Sequence, residues 1–257
     1  LVSSLPLGPV VGEKLLRRTP SPIRHMKRLL VHVEGETEEQ FVHELLAPHL
    51  YQYGFGDVSA RKLGNARQRH KRHGIKPWAV VQDVVSNHLL QDRHAYSTLM
   101  VDYYAMPSTG DRSWPGREDA MRLTHAHKAL HIETQLFAGL QKTNHTVAKR
   151  FIPFVQMHEF EALLFCDCAA FAQAIGQPAI KIPLEKIRSQ FDNPECINDS
   201  PETAPSKRLA QLIYKYENQK PLLGTLGAAA IGLTAMRWQC PGFANWLTRL
   251  EELPPLI

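Results

Sequence analysis

The sequence predicts an α/β protein: a mostly parallel sheet flanked by helices, with a helical region at its C-terminal end. Three observations carry that expectation. From Met26 to about Asp167, apolar runs of strand length alternate with stretches of helical spacing, the pattern of a parallel sheet covered on both faces. Three of those runs stop at acidic side chains: Glu34, Asp102 and the pair Glu159/Glu161. Beyond Asp167 the strand-like runs cease, and helical stretches are separated by Pro178, Pro183, Pro194, Pro201, Pro205, Pro221 and Pro241.

The elements follow in order. Leu29–Val33 is the first strand, broken off by Glu34 and Gly35. Thr37 reads as the N-cap of the next helix, with Gln40 three residues on, as a capping box asks. That helix runs to about Tyr53: Phe41, Leu45, Leu46 and Leu50 share a face, and Gly54 ends it. Asp57 to about Lys62 is a short second strand. Pro77 stands near the first turn of a helix reaching about Leu90. Ser97–Val101 is the third strand and ends at Asp102. Arg117 to about Leu140 is a long helix, with Met121, Ala129, Ile132, Leu136 and Leu140 at its apolar positions. Phe151–Met157 is the fourth strand, ending at His158-Glu159-Phe160-Glu161. Gly224, Gly227 and Gly232 lie in an Ala-rich apolar stretch, and their spacing does not match a nucleotide-binding fingerprint following a strand.

A chain of 257 residues with 44% hydrophobic content can build one large domain, or a core domain with a smaller one attached. The expected division is a disordered leader or expression remnant over 1–25, a catalytic α/β domain over 26–167 and a helical subdomain over 168–257. The leader carries four prolines and lacks the order of a signal peptide. A net charge of +5 with only 21% charged residues excludes a disordered polyelectrolyte and is compatible with a nucleic-acid partner. Four cysteines make no disulfide framework, so a reducing, cytoplasmic setting is expected. No apolar run reaches the ~18 residues of a membrane span.

The chemistry rests on the acidic strand ends. If the strands are parallel, those ends share one edge of the sheet, where open α/β sheets bind ligands. Carboxylates gathered there suit a hard divalent cation, Mg²⁺ or Mn²⁺. Left unpaired they would repel one another and take up protons. A cation removes that repulsion and supplies a Lewis acid, and two cations ~4 Å apart can drive phosphodiester cleavage. Any one acidic residue at a strand end reads equally well as a loop or cap residue; the convergence of all of them is what points to a site. Extended backbone would aim Glu159 and Glu161 at the same cation. A helix starting at Glu159 would separate them, leaving Glu161 as ligand and Glu159 as second ligand or base. His158 is a base, a phosphate contact or a structural histidine.

Several strings together resemble a known family. Glu34-Gly35-Glu36-Thr37-Glu38, the strand ending at Asp102, and Glu159-Phe160-Glu161 resemble the Toprim domain of topoisomerases, primases and OLD-type nucleases. The strings Val101–Pro107, Trp114-Pro115-Gly116, Arg150–Phe154, His158–Phe165, Pro194–Asn198 and Ala204–Arg208 are similar to one branch of it, which includes the nuclease effector of PARIS anti-phage systems. The resemblance spans about Lys27 to Leu250. It implies a metal-dependent nuclease, encoded beside an ABC-type ATPase that restrains it until infection is sensed, with RNA including tRNA among its targets. It also implies a homodimer in the active state. Carried over, Glu34 matches the Toprim glutamate, Asp102 the first aspartate, and Glu159/Glu161 the acidic pair of OLD-type nucleases. Tyr104 stands where topoisomerases and primases have a second aspartate, which favours the nuclease branch.

The densest basic run spans Arg61 to His73. Its Arg67, Arg69, Lys71 and Arg72 are candidate phosphate-backbone contacts, or a solvated loop. Lys207 and Arg208 follow Pro205-Ser206 at the start of a helix, where they suit a phosphate or simply a capping turn. Cys166, Cys168, Cys196 and Cys240 lack paired Cys-x-x-Cys spacing and read as free thiols rather than zinc ligands. Tyr103 and Tyr104 read as positioning or packing residues. Two rivals use the same residues: a non-catalytic nucleic-acid-binding or regulatory partner of an ABC-type ATPase, and a phosphotransferase acting on small phosphoesters.

Overall fold

An apolar run with no polar alternation demands burial on both faces, and the central strand β1 (Lys27–Val33) has it: Leu29, Leu30, Val31 and Val33 are all buried. The structure is a computed structural model that describes residues 26–63, 75–198 and 202–256. β1 leads into α1 (Glu36–Phe41), a π-helical stretch at Val42–Leu46, and α2 (Ala47–Tyr51); β2 (Phe55–Lys62) follows. α3 (Trp78–Gln91) precedes β3 (Ala95–Asp102). Next come α4 (Arg117–Ala120), α5 (His125–Thr143), α6 (His145–Ala148), β4 (Phe151–Ile152) and β5 (Val155–Gln156). A 3₁₀ turn at Phe160–Phe165 opens the helical region of α7 (Cys168–Ala174), α8 (Lys181–Arg188), α9 (Pro205–Leu212), α10 (Tyr216–Gln239) and α11 (Pro241–Glu251).

The strand order is β2-β1-β3-β4, with β5 also paired to β3, and every pairing is parallel. Register brings the strand ends level. Val33 lies opposite Met100, and Asp102 lies opposite Gln156. Residues two apart point the same way. Leu29, Val31 and Val33 therefore face one apolar core, which they share with Phe41, Phe171 and Trp246. The helices after Asp167 thus complete the same core as the first strand. The opposite face of the sheet packs Leu99 and Val101 against Val81 and Val85 of α3 and Leu136 of α5.

Local differences from the sequence-based expectation have local causes. The first helix begins at Glu36 with Gly35 as N-cap, not at Thr37. Glu38 is the reason: its Oε2 accepts the Gly35 N–H at 3.0 Å, doing the job expected of Gln40. The strand expected over 151–157 is split at Pro153, which has no N–H to give to a ladder. The long helix expected from Arg117 breaks at 121–124 and restarts as α5, with Thr124 as its N-cap and the Thr124 hydroxyl 2.7 Å from His127 Nδ1. Pro221 does not separate one helix from the next; it lies inside α10. The glycines of that helix have a packing role. A Cβ on Gly224 would sit 2.7 Å from Thr37 Cγ2, and one on Gly227 would sit 2.4 Å from the Phe171 ring. Only glycine lets α10 lie this close to α1 and α7. The leader expected over 1–25 falls outside the described residues.

His32 lies next to the C-terminal end of β1, wholly buried, with neither ring nitrogen hydrogen-bonded among the described residues and the His88 ring edge-on at 6.5 Å. Burial drives its pKa down to about 3, helped by His88 and Arg61. The unfolded chain takes up a proton near 6.5 that the fold refuses until about 3. This contribution to stability is therefore intact above about 6.5 and is lost as pH falls toward 3. Urea unfolding at pH 7.5 and pH 5 should show a smaller acid-induced drop for His32→Leu than for the parent. Equal drops would place the acid sensitivity elsewhere.

Candidate functional site

Neighbouring parallel strands deliver their C-terminal residues side by side, so β1 and β3 bring Glu34 and Asp102 to one edge. Asp102 is buried, and its Oδ1 accepts the Phe160 N–H at 3.1 Å. That bond seats the 3₁₀ turn on which Glu161 is fully buried. From above, α10 supplies two partners for Glu161 Oε1: the Lys220 ammonium at 2.8 Å and the Tyr216 hydroxyl, donating at 3.3 Å. The cleft between these elements has a volume of about 240 Å³ and is lined by Glu34, Gly35, Glu38, Asp102, Glu217 and Lys220, among others.

The electrostatics of this cleft are those of crowded acids around one cation. Burial pushes Glu34 up to about 7, and Glu38, Glu161 and Glu159 push the same way while Lys220 opposes. Burial also holds Asp102 well above the usual carboxylate range, reinforced by Glu34 and Glu38. Burial raises Glu161 as well, against the pull of Lys220. Lys220 is itself desolvated, which alone would favour the neutral amine, but Glu161, Asp102 and Glu38 overcome this and keep it charged. Tyr216 is held protonated by burial and by Glu161.

The structure places Glu34 and Asp102 in one cleft and pairs Glu161 with Lys220, which lines the same cleft. It turns the Glu159 carboxylate to another partner, although its charge is still felt by Glu34 and Glu161, and it places His158 in another cavity. Glu159 is extended and Glu161 helical, so the pair diverges, and Glu159 Oε2 instead accepts the Ser206 N–H of α9 at 2.9 Å. His158 lines a different cavity, stacked on Tyr104 with ring centroids 5.4 Å apart and 5.1 Å from His125. Burial drives its imidazole down to about 3, with His125, Lys128 and Arg117 adding to the effect, so it is neutral at ordinary pH. Of the basic candidates, Lys207 is paired with Glu217 at 2.7 Å, and Arg208 donates to the Thr203 carbonyl at 2.8 Å. Arg67, Arg69, Lys71 and Arg72 lie outside the described residues. Tyr103 is a packing residue, with the Arg117 guanidinium 3.8 Å above its ring. The four cysteines are free, three of them buried.

The donor set suits a hard divalent cation. Glu34 Oε2 and Glu161 Oε2 are buried with no hydrogen-bond partner among the described residues, a costly state that a cation would relieve. No three His, Cys, Asp or Glu side chains among the described residues stand close enough to enclose an ion by themselves. Mg²⁺ does not require that: it keeps water and takes one or two carboxylates together with phosphate oxygens. Two of Glu34, Asp102 and Glu161 would hold it, with water and phosphate oxygens completing its shell, in the region Lys220 now neutralises. Sequence reasoning missed Lys220, Tyr216 and Glu38. Lys220 precedes a proline in a helix that starts far from any strand, so only the packing of α10 reveals it.

A parallel sheet whose adjacent strand ends carry carboxylates around a lysine defines an α/β protein with a polar, acidic cleft at one sheet edge. The chain belongs to the family described as Domain of unknown function (DUF4276), which matches residues 33–251. No curated protein and no solved structure matches it.

Removing Lys220 leaves the fully buried Glu161 without its counter-charge; about 3–5 kcal/mol is the cost for a fully buried pair, and the partial exposure of Lys220 lowers it. Lys220→Met should therefore lower the thermal midpoint in EDTA. Added Mg²⁺ should raise the midpoint of the variant more than that of the parent. Equal midpoints in EDTA would show that Lys220 does not neutralise the cluster.

Proposed function

We propose that this protein is a metal-dependent phosphodiesterase acting on nucleic acid, with RNA such as tRNA favoured over DNA. The observation that carries the reading is the meeting of Glu34, Asp102 and Glu161, from three separate segments, around Lys220. The resemblance of these segments to Toprim nucleases supports it. The same resemblance supports a cytoplasmic effector of an anti-phage defence system, restrained by an ABC-type ATPase and active as a homodimer. No helix among the described residues is long and apolar enough to cross a membrane.

When bound, Mg²⁺ or Mn²⁺ supplies Lewis acidity and an acidified water at the scissile phosphate. The chain's own residues prepare that site. Asp102, fixed by the Phe160 N–H, and Glu34 present ligands from rigid strand ends. Glu161 offers a third carboxylate from a turn whose whole apolar face is buried. Lys220, released from Glu161, offers a positive charge to the phosphate oxygens. Glu159 ties the first turn of α9 to this turn and so positions Glu161. His158, neutral and outside the cleft, has no proton-transfer role in this reading.

Incubating the purified full chain with labelled tRNA, single-stranded RNA and single-stranded DNA should give cleavage that needs Mg²⁺ or Mn²⁺. Glu34→Ala and Asp102→Asn should each reduce it by more than the roughly 10–100-fold typical of outer-shell changes, without loss of helical circular dichroism. Undiminished cleavage by Glu34→Ala would falsify the assignment of the site.

A further inference from the structure

The second cavity, about 440 Å³ in volume, is lined by Tyr104, two residues past Asp102, and by His158, three residues before Glu161. It is built from four separate stretches of chain. Tyr104 follows β3, His158 follows β5, His125 and Lys128 come from α5, and Phe191 and Asp192 follow α8. Its lining combines flat rings with polar edges. Tyr104 and His158 lie nearly parallel, 29° apart, and His125 leans on His158 at 5.1 Å. Phe191 adds a ring from another segment, with the Arg208 guanidinium 5.2 Å from its centroid. The Lys128 ammonium lies 5.5 Å from the centroid of the Tyr103 ring. His158 Nδ1 is buried without a hydrogen-bond partner among the described residues, a donor or acceptor held in reserve at the wall of the cavity.

This composition selects a ligand class. Rings from different segments offer stacking faces to a flat, polar heterocycle. The volume is that of a small-molecule subsite rather than a packing defect. Asp192 is an acceptor only, so it favours a base edge bearing an exocyclic amino group. Lys128 and Arg208 supply positive charge for flanking phosphates. Position ties the cavity to the carboxylate cleft. Tyr104 is two residues from Asp102, and two residues of extended chain span at most about 7 Å. That separation is within the reach of one nucleotide.

The geometry points to a nucleobase subsite: the cavity walled by Tyr104, His158 and Phe191 holds one amino-bearing base of the strand whose backbone lies at Glu34 and Asp102. The inference rests on the nuclease reading and adds to it a source of sequence preference. A base held here fixes which phosphate reaches the carboxylates, so cleavage falls at a constant offset from an adenine, cytosine or guanine.

The test separates binding from cleavage. Fluorescence anisotropy in EDTA would measure binding of the full chain to short single-stranded oligonucleotides of cytidine, of uridine, and of an abasic backbone. Cytidine should bind about tenfold more tightly than the abasic chain, the scale of one stacked base, and more tightly than uridine. Phe191→Leu and Tyr104→Leu, which keep apolar bulk and remove the stacking face, should each erase most of that difference. Phe191→Tyr should keep it. If the parent cleaves RNA but the Leu variants bind all three oligonucleotides as the parent does, the subsite is wrong and the nuclease reading stands. If base-dependent binding is present and sensitive to Phe191→Leu while Mg²⁺ and Mn²⁺ give no cleavage, the subsite stands and the nuclease reading fails. Equal binding of cytidine and abasic chains by the parent, or no binding of either, overturns the subsite.

Discussion

A charged, partly buried lysine set among acids is the constraint on which this architecture depends. Glu161 is wholly buried, Asp102 nearly so, and Glu34 and Glu38 crowd the same cleft. Without a counter-charge they would have to take up protons or move apart. The Lys220–Glu161 pair supplies that charge from α10, an element remote in sequence. The desolvation of such a pair makes it a poor source of net stability.

Placing that lysine requires the rest of the helical region. α10 reaches the strand ends because Gly224 and Gly227 let its backbone settle against Thr37 and Phe171. Gly232, at φ +76°, allows the helix to change direction beyond that contact. α11 then carries Phe243 and Trp246 into the core shared with β1 and α1. Sheet and helices share one apolar core beside the cleft. The change of sequence character at Asp167 marks a change in secondary structure, while the apolar core runs across it.

The fold was legible because burial imposes pattern. Runs such as Leu29–Val33 could be read as strands of a parallel sheet, and their acidic ends followed from the shared direction of the strands. The shared edge of Glu34 and Asp102 was readable for that reason. Features set by a single hydrogen bond or a missing one were not. The capping role of Glu38, the split at Pro153 and the break before Thr124 are decided by local donors and acceptors that a hydrophobic pattern does not record. The role of Glu159 was hidden in the same way, since extended and helical backbone at Phe160 send it in opposite directions. Lys220 was invisible for a different reason: nothing in Gln219-Lys220-Pro221 distinguishes a buried cation from a solvated one until α10 is docked. The glycines beside it could be denied a nucleotide-binding role from their spacing, but their packing role needed the partner surfaces.

The sharpest measurement is anomalous diffraction from crystals of the full chain grown or soaked with Mn²⁺. A manganese peak bounded by Glu34, Asp102 and Glu161 is expected, with the Lys220 ammonium displaced from Glu161, and no such peak in Asp102→Asn. Manganese bound only elsewhere, with the lysine still seated on Glu161, would contradict a cation role for the cleft.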